Sequence, residues 1–554
     1  MKSRLIILSI IILAAILRIA NLNSIPVGFN DDEAAFGYNA YTILKTGHDE
    51  WGNRLPFPVF ESFGDWKLVG YLYLTVASVA FFGMNELATR LPSVAFGILS
   101  VFVTYLLSKK LFNKETGYIA AFLLAISPWH IIASRNAFES DVMIFFITTG
   151  TYFFLKGFDS RRYFVFSALS FVTSFYFYRS SWTFVPLFLL TLAYFSRKEL
   201  KKSGFRLKKY FLLTALLLLP LVPVVLTFQG QSRFLQESFI SGVSRTGLTN
   251  NISEKQSRCQ TKAPQIICKA AHNKYSTFLS TYINNYFGNL SYATFFSKAN
   301  PYGFQSFATR STFYLFELPL FIAGVVFMVK KRTRAAKILI PWILLVPLGA
   351  SITGIANYGR INIIMPAPQI IAAFGLVSAI SAVKIPKFKL ALAGLIAIIA
   401  TLSFTSFYSE LFLTEPYVTS RHQRYGYKQL FGYLNTKESE YGNIYISKKI
   451  DNSHQYIQYA FFQKLDPDYF VENAKRERGK NGWTEFASIG KYYFISSAPA
   501  AGNLPGKSLI VVGEHETEYR AKPEFVINDL RGDIIFKVFD TDKVREGLEE
   551  KMRI

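Results

Sequence analysis

Residues 21–66 of this 554-residue chain hold seven acidic and two basic side chains, and three of the acids are consecutive, Asp31-Asp32-Glu33. They follow a first apolar stretch, Leu5 to Ala20, and precede a helix-like stretch from Ala34 to Lys45 that Gly47 ends. A single carboxylate suffices to cap a helix, where it accepts orphan backbone N–H groups and complements the helix dipole. Three in a row repel one another unless a cation or a proton-accepting role holds them. Asp32 and Glu33 are the candidates for acid–base chemistry.

Three further groups of polar residues sit at the ends of apolar stretches. Ser134-Arg135 and Glu139-Ser140-Asp141 stand between two of them, and Asp141 opens the second; a helix cap competes with a functional role there, and His130, set among aromatic residues, reads as packing. Lys67, in Gly64-Asp-Trp-Lys-Leu-Val-Gly-Tyr, heads an apolar run to Phe82. A lysine at that height either snorkels to the interface or binds a lipid phosphate. Arg179 and Arg360 lie in short loops where few cations are expected, so each needs an anionic partner, a ligand phosphate or an acid such as Glu317.

The elements that must position these residues read as membrane helices. Half of the residues are hydrophobic, 54 are Phe and 32 are Tyr. A membrane span takes roughly 20 apolar residues. Eleven candidates lie near 5–20, 91–108, 117–134, 141–156, 163–177, 182–196, 210–228, 311–329, 337–356, 366–383 and 388–406. The first has no small-residue cleavage site after it and reads as a retained anchor. The segments 1–4, 108–116, 156–162, 197–209, 330–337 and 384–389 carry 23 Lys or Arg against three acids, and so account for +20 of the formal net charge of +24. By the positive-inside rule these loops are cytoplasmic. The N-terminus is then cytoplasmic and residues 21–90, 135–141, 178–181, 229–310, 357–365 and 407–554 are extracytoplasmic. That alternation survives only if the run from Lys67 to Phe82 lies along the outer surface as a juxtamembrane helix. The basic excess is a topology signal of a plasma-membrane protein and gives no reason to propose nucleic acid.

Residues 407–554 differ in kind, with 21 basic and 21 acidic side chains and no run long enough to span. Short β-like runs at Asn443–Ser447, Lys491–Ile495, Ser508–Val512 and Ile534–Phe539 alternate with helix-like stretches near 423–435, 453–464 and 541–552, the pattern of a soluble α/β domain. The chain thus reads as an α-helical polytopic module, 1–406, followed by that domain. The two cysteines, Cys259 and Cys268, share the outer loop 229–310, where they form a disulfide or stay as two structural thiols. Asn251-Ile-Ser and Asn289-Leu-Ser match the glycosylation sequon. No P-loop, GxSxG, metal-type cysteine spacing or internal repeat is found.

In order and sidedness these motifs resemble the membrane glycosyltransferases of the C superfamily, of the protein O-mannosyltransferase and aminoarabinose-transferase type. The resemblance covers about the first 400 residues. It rests on Asp32-Glu33 after the first span, the amphipathic helix opened by Lys67, Arg90-Leu-Pro-Ser, the loop of Ser134-Arg135 with Asp141, and the stretch from Arg360 to Pro366, similar to the family's Arg-Tyr-Leu-Leu-Pro. Ile361 replaces the usual Tyr, and Asp65-Trp66-Lys67 stands where many relatives have Lys-Pro-Pro. The resemblance implies a polyprenyl-phosphate sugar as donor and inverting transfer to an acceptor hydroxyl on a protein, a lipid headgroup or a glycan. It makes Asp32 the base. Lys67, Arg179, Arg360 and Arg135 become the donor-phosphate cations, and a divalent ion (Mg²⁺, Mn²⁺ or Ca²⁺) held through Asp32 and Asp141 could add charge. A flippase of lipid-linked sugars would place polar groups near the bilayer midplane instead. A non-catalytic envelope protein presenting residues 407–554 would be indifferent to loss of Asp32.

Overall fold

The structure is a computed structural model that describes residues 2–203, 207–227, 238, 242–297, 310–450, 454–479, 483–499, 504, 506–516, 519 and 521–546. Parts of the loop 229–310, the end of the expected span 210–228, the side chain of Asn251 and the end of the expected helix 541–552 lie outside the described residues. The chain forms two compact units. One comprises the described residues of 1–20 and 93–409, the other those of 21–92 and 410–554. The boundary thus differs from a single module over 1–406. The first loop belongs with the C-terminal residues because its partners lie there, hundreds of positions away.

Each of the eleven apolar stretches folds as a helix or a broken helix, from Lys2–Ile19 to Pro386–Ser409. Among the described residues, two helices are long and apolar enough to cross a membrane, Glu86–Leu111 and Pro386–Thr419. Two bent pairs raise the number to four: Lys114–Ile126 with Pro128–Arg135, bent by 57°, and Tyr358–Ile364 with Ala367–Ala382, bent by 42°. A count of eleven spans is therefore not established. Both breaks fall at prolines, Pro128 and Pro366, whose rings drive the preceding residue out of the helical region. In this unit Glu317–Lys330 packs closely on Ala367–Ala382. A Cβ added at Gly375 would lie 2.0 Å from the Leu320 carbonyl oxygen, so only glycine allows that approach.

The second unit holds a two-stranded hairpin, β1 (Val59–Ser62) and β2 (Asp65–Leu68), followed by the apolar helix Val69–Phe82. Its larger sheet comprises β3 (Asn443–Ser447), β4 (Ala474–Arg478), β5 (Thr484–Ile489), β6 (Tyr492–Ile495), β7 (Ser508–Val512), β8 (Phe525–Asn528) and β9 (Ile534–Asp540), in the order β4-β5-β6-β3-β7-β9-β8. β3 runs parallel to β6 and β7, and the remaining pairs are antiparallel. The four expected strand runs all lie in this sheet. β4, β5 and β8 were not expected; Ala-Lys-Arg-Glu-Arg in β4 shows no apolar alternation because it lies at the sheet edge with little buried. Buried Tyr427, Phe431 and Leu434 of helix Tyr427–Lys437 and Ile457 and Phe461 of helix Gln455–Phe462 supply apolar faces, as Ile444, Ile446, Phe536 and Val538 do from the strands.

Candidate active site

Asn30 caps the helix Asp31–Thr46. Its side chain accepts from the Glu33 backbone N–H, and the Glu33 carboxylate accepts from the Asn30 N–H, a capping box. None of the three acids is the cap residue. They occupy the first turn, where successive side chains point about 100° apart, from 3.6 residues per turn, and each meets a different environment.

Glu33 is fully buried and takes two hydrogen bonds from Arg90, Nε to Oε1 at 2.8 Å and Nη2 to Oε2 at 3.0 Å. Arg90 spends its other donors on the carbonyls of Leu22, Pro26 and Gly28. Asp31 points to the C-terminal segment, where Gln458, the His454 backbone N–H and Arg424 reach it. Asp32 is the outward one. Its side chain is 40% exposed and its Oδ1 lies 2.8 Å from the Nζ of Lys67.

Lys67 is fully buried and also donates to Asp65 at 2.7 Å. It lies on β2, two residues before the helix it was expected to head. The turn that reverses the hairpin, Phe63-Gly64, has positive φ at both residues (44° and 88°), the pattern that matches strand twist in tight hairpins. Lys67 Nζ sits 4.2 Å from the centre of the Phe63 ring, and the His454 ring stacks on that ring at 4.2 Å. Burial and the nearby cation of Lys67 act on His454 together, and they leave its pKa below the ordinary histidine value.

Glu50 is another buried acid of this unit. Tyr456 Oη donates to it at 3.1 Å and accepts from the Phe63 N–H at 2.9 Å. Burial pushes the Glu50 carboxyl up to about 8, against the lowering effects of the hydrogen bond with Ser62 and the charge of Arg476. Because the folded value is raised above the unfolded one, Glu50 binds a proton in the folded state through the window from about 4.5 to about 8, and stability is lost as pH rises through it. Glu50→Gln, which keeps the shape and cannot ionise, should gain on the wild type by up to about 1.4 kcal/mol per pH unit across that window. Thermal unfolding of both proteins at pH 5, 6.5 and 8 measures it; a difference independent of pH would show that Glu50 is not the titrating group.

The remaining sequence candidates lie in the other unit. Arg135 is buried and donates to the carbonyls of Leu17 and Ala20, the free end of helix Lys2–Ile19. Arg18, also buried, donates to Ala14, Leu124 and Ala125 carbonyls and lies 2.7 Å from His130 Nδ1. Asp141 is fully buried 3.8 Å from His130 Nε2, and a Cβ at Gly97 would come within 3.2 Å of its Oδ2. It does not cap its helix, where Phe138 is the cap residue. Arg179 stacks over Trp182 at 5.9 Å, and the Ser180 hydroxyl donates to the Arg360 carbonyl at 3.1 Å, so the two arginine loops are neighbours. Cys259 and Cys268 are joined by a disulfide that links helices Gly242–Gln260 and Gln265–Ala271.

A divalent ion does not fit the residues present. The Lys67 ammonium sits 2.8 Å from Asp32 Oδ1, where a cation would bind. Among the described residues, no three His, Cys, Asp or Glu side chains gather in a way that could hold a metal.

The fold resembles those of two solved membrane-enzyme structures, and part of the sequence matches a family model. A family model described as dolichyl-phosphate-mannose-protein mannosyltransferase matches residues 69–227, a stretch that contains Arg90, Arg135, Asp141 and Arg179. ArnT from Cupriavidus metallidurans, solved with undecaprenyl phosphate, superposes with a TM-score of 0.53 at 12% identity, over 98% of this chain and 97% of its own. The oligosaccharyltransferase AglB from Archaeoglobus fulgidus, solved with an inhibitory peptide and a dolichol-phosphate, superposes with a TM-score of 0.50 at 15% identity, over 83% of this chain and 64% of its own. In sequence, YkcB of Bacillus subtilis (strain 168), provisionally named a mannosyltransferase, is 27% identical over 154 residues, 27% of this chain and 21% of its own length. The chain thus matches about a fifth of that relative.

Proposed function

We propose that this protein transfers a sugar from a polyprenyl-phosphate donor to an acceptor hydroxyl at the extracytoplasmic face, by inverting single displacement with Asp32 as the general base. The observation that carries the reading is the division of labour among three adjacent acids: Glu33 and Asp31 are consumed by buried partners, while Asp32 is open and faces a buried lysine. The acceptor oxygen forms a bond to the anomeric carbon, the bond from that carbon to the phosphate oxygen breaks, and the hydroxyl proton passes to Asp32. The leaving group departs as polyprenyl phosphate, a weak base that needs positive charge more than an acid.

Lys67 supplies that charge. Asp65 holds its ammonium in place, so a donor phosphate can take over the contact with Lys67 and release Asp32 to accept a proton. Arg179 and Arg360, neighbours in the other unit, are proposed separately as cations for an anionic group, and Arg135, which donates to the Leu17 and Ala20 carbonyls, is given no donor role. Both ArnT and AglB have been solved with polyprenyl phosphates, which supports the donor class. The enzyme's cytoplasmic N-terminus and outward-facing site follow from the alternation of basic loops.

Purified protein incubated with a panel of labelled polyprenyl-phosphate sugars and hydroxyl acceptors should release the free lipid phosphate from at least one donor. Lipid-linked sugar moved across the membrane without such release, by a protein indifferent to Asp32→Asn, would make it a flippase. Lys67→Gln should lower kcat/KM for the donor by about 10²-fold, and Lys67→Arg should keep part of it. An unchanged donor KM and kcat in Lys67→Gln would remove Lys67 from the donor site.

A further inference from the structure

Asp31 enters the sequence analysis only as a member of the acidic cluster, with no role of its own, and its carboxylate has three donors in the second unit. Its side chain is 11% exposed, and all three of its donors come from residues 424–458: Gln458 Nε2 at 2.9 Å to Oδ1, the His454 backbone N–H at 3.1 Å to Oδ2, and Arg424 Nη2 at 3.5 Å to Oδ2. Gln458 Nε2 also donates to the Phe29 carbonyl at 2.9 Å, so one amide holds the chain on both sides of the Asn30 cap. Arg424 reaches Asp31 from a left-handed backbone conformation, φ 62°, which non-glycine residues adopt only when their surroundings enforce it.

The same short segment also holds the lysine side of the site. The His454 ring stacks on Phe63, Lys67 Nζ lies over Phe63, and Tyr456 accepts the Phe63 N–H. Residues 454–458 therefore grip the turn that carries Asp32 and the hairpin that carries Lys67. The pair of Glu33 and Arg90 holds one side of the first helical turn. Asp31, two positions earlier and so about 200° round the helix, holds another side.

We propose that Asp31 is a positioning residue: held by Arg424, Gln458 and the His454 N–H, it makes the C-terminal segment set the direction in which Asp32 faces Lys67 and the acceptor. The inference rests on the reading of Asp32 as the base. A carboxylate displaced by about 1 Å from the acceptor hydroxyl costs about 10²-fold in rate without touching donor affinity. The C-terminal segment is then part of the catalytic arrangement.

The test uses the full chain in lipid vesicles with a donor that the wild type turns over. Asp31→Asn, which keeps an oxygen for Gln458 but loses the charge, should lower kcat about 10²-fold with the donor KM within about twofold of wild type. Arg424→Gln should do the same and Arg424→Lys should recover most of the loss. The double variant Asp31→Asn/Arg424→Gln should be no slower than the slower single one, since both remove one contact. Wild-type kcat in Asp31→Asn, or losses that add and track a lowered thermal midpoint, would overturn the proposal. A second measurement needs no turnover. In an Asp32→Cys background, the alkylation rate of the new thiol should change when Asp31→Asn is added; an unchanged rate overturns the positioning role even if no donor is found. A wild type that releases lipid phosphate from no donor would instead refute the proposed function.

Discussion

Asp32→Asn lowers turnover by about 10²–10⁴-fold, the range that a positioned general base contributes, and leaves the protein folded and inserted. The substitution removes the proton-accepting carboxylate and, with it, one of the two anionic partners of Lys67. Asparagine has the shape of aspartate, Lys67 keeps Asp65 as its partner, and the helix keeps its cap because Asn30 and Glu33 make it. Donor KM should change little, since the phosphate contact belongs to Lys67. The measurement is the initial rate of lipid phosphate release at saturating donor, with thermal unfolding recorded on the same preparation. Wild-type rates in this variant would remove the proposed base, and a collapsed thermal midpoint would make Asp32 structural.

Arg90→Met is expected to cost about 3–5 kcal/mol of stability, the loss typical of breaking a buried ion pair from one side. Glu33 would be left as a buried carboxylate without its cation, and the Leu22, Pro26 and Gly28 carbonyls would lose a donor in the same stroke. The loss should be mostly recoverable. Glu33→Leu combined with Arg90→Met removes both charges, so the pair should be much less destabilised than the sum of the single variants. Denaturant or thermal unfolding of the detergent-solubilised protein reads both effects. If Arg90→Met unfolds at the wild-type midpoint, the Glu33–Arg90 pair does not hold the first loop, and the contrast between Glu33 and Asp32 loses its basis.

Periodicity found the elements far better than it found the partners. Each of the eleven apolar runs coincides with a helix or a broken helix, while helices such as Gly242–Gln260 and Lys274–Gly288 carry no such run, and four of the seven strands of the larger sheet announced themselves as β-branched or aromatic runs. Lys67 shows the first kind of failure. Its strand, Asp65–Leu68, is continuous in composition with the apolar helix Val69–Phe82, so no change of period marks where one ends, and only pairing with Val59–Ser62 across the Phe63-Gly64 turn makes it a strand. Arg90 shows the second. It was legible as part of Arg90-Leu-Pro-Ser, but nothing in the sequence says that its guanidinium meets an acid 57 positions away.

Composition and pattern determined that this chain builds a series of apolar helices and an α/β domain, and that its first loop is acidic, because burial of apolar side chains follows from periods of two and 3.6 residues. Tertiary structure alone decided which of Asp31, Asp32 and Glu33 faces outward. Three adjacent carboxylates are chemically near-identical in sequence, and they differ only in what packs against each: an arginine pair for Glu33, the residues 424–458 for Asp31, and a single lysine with open space for Asp32.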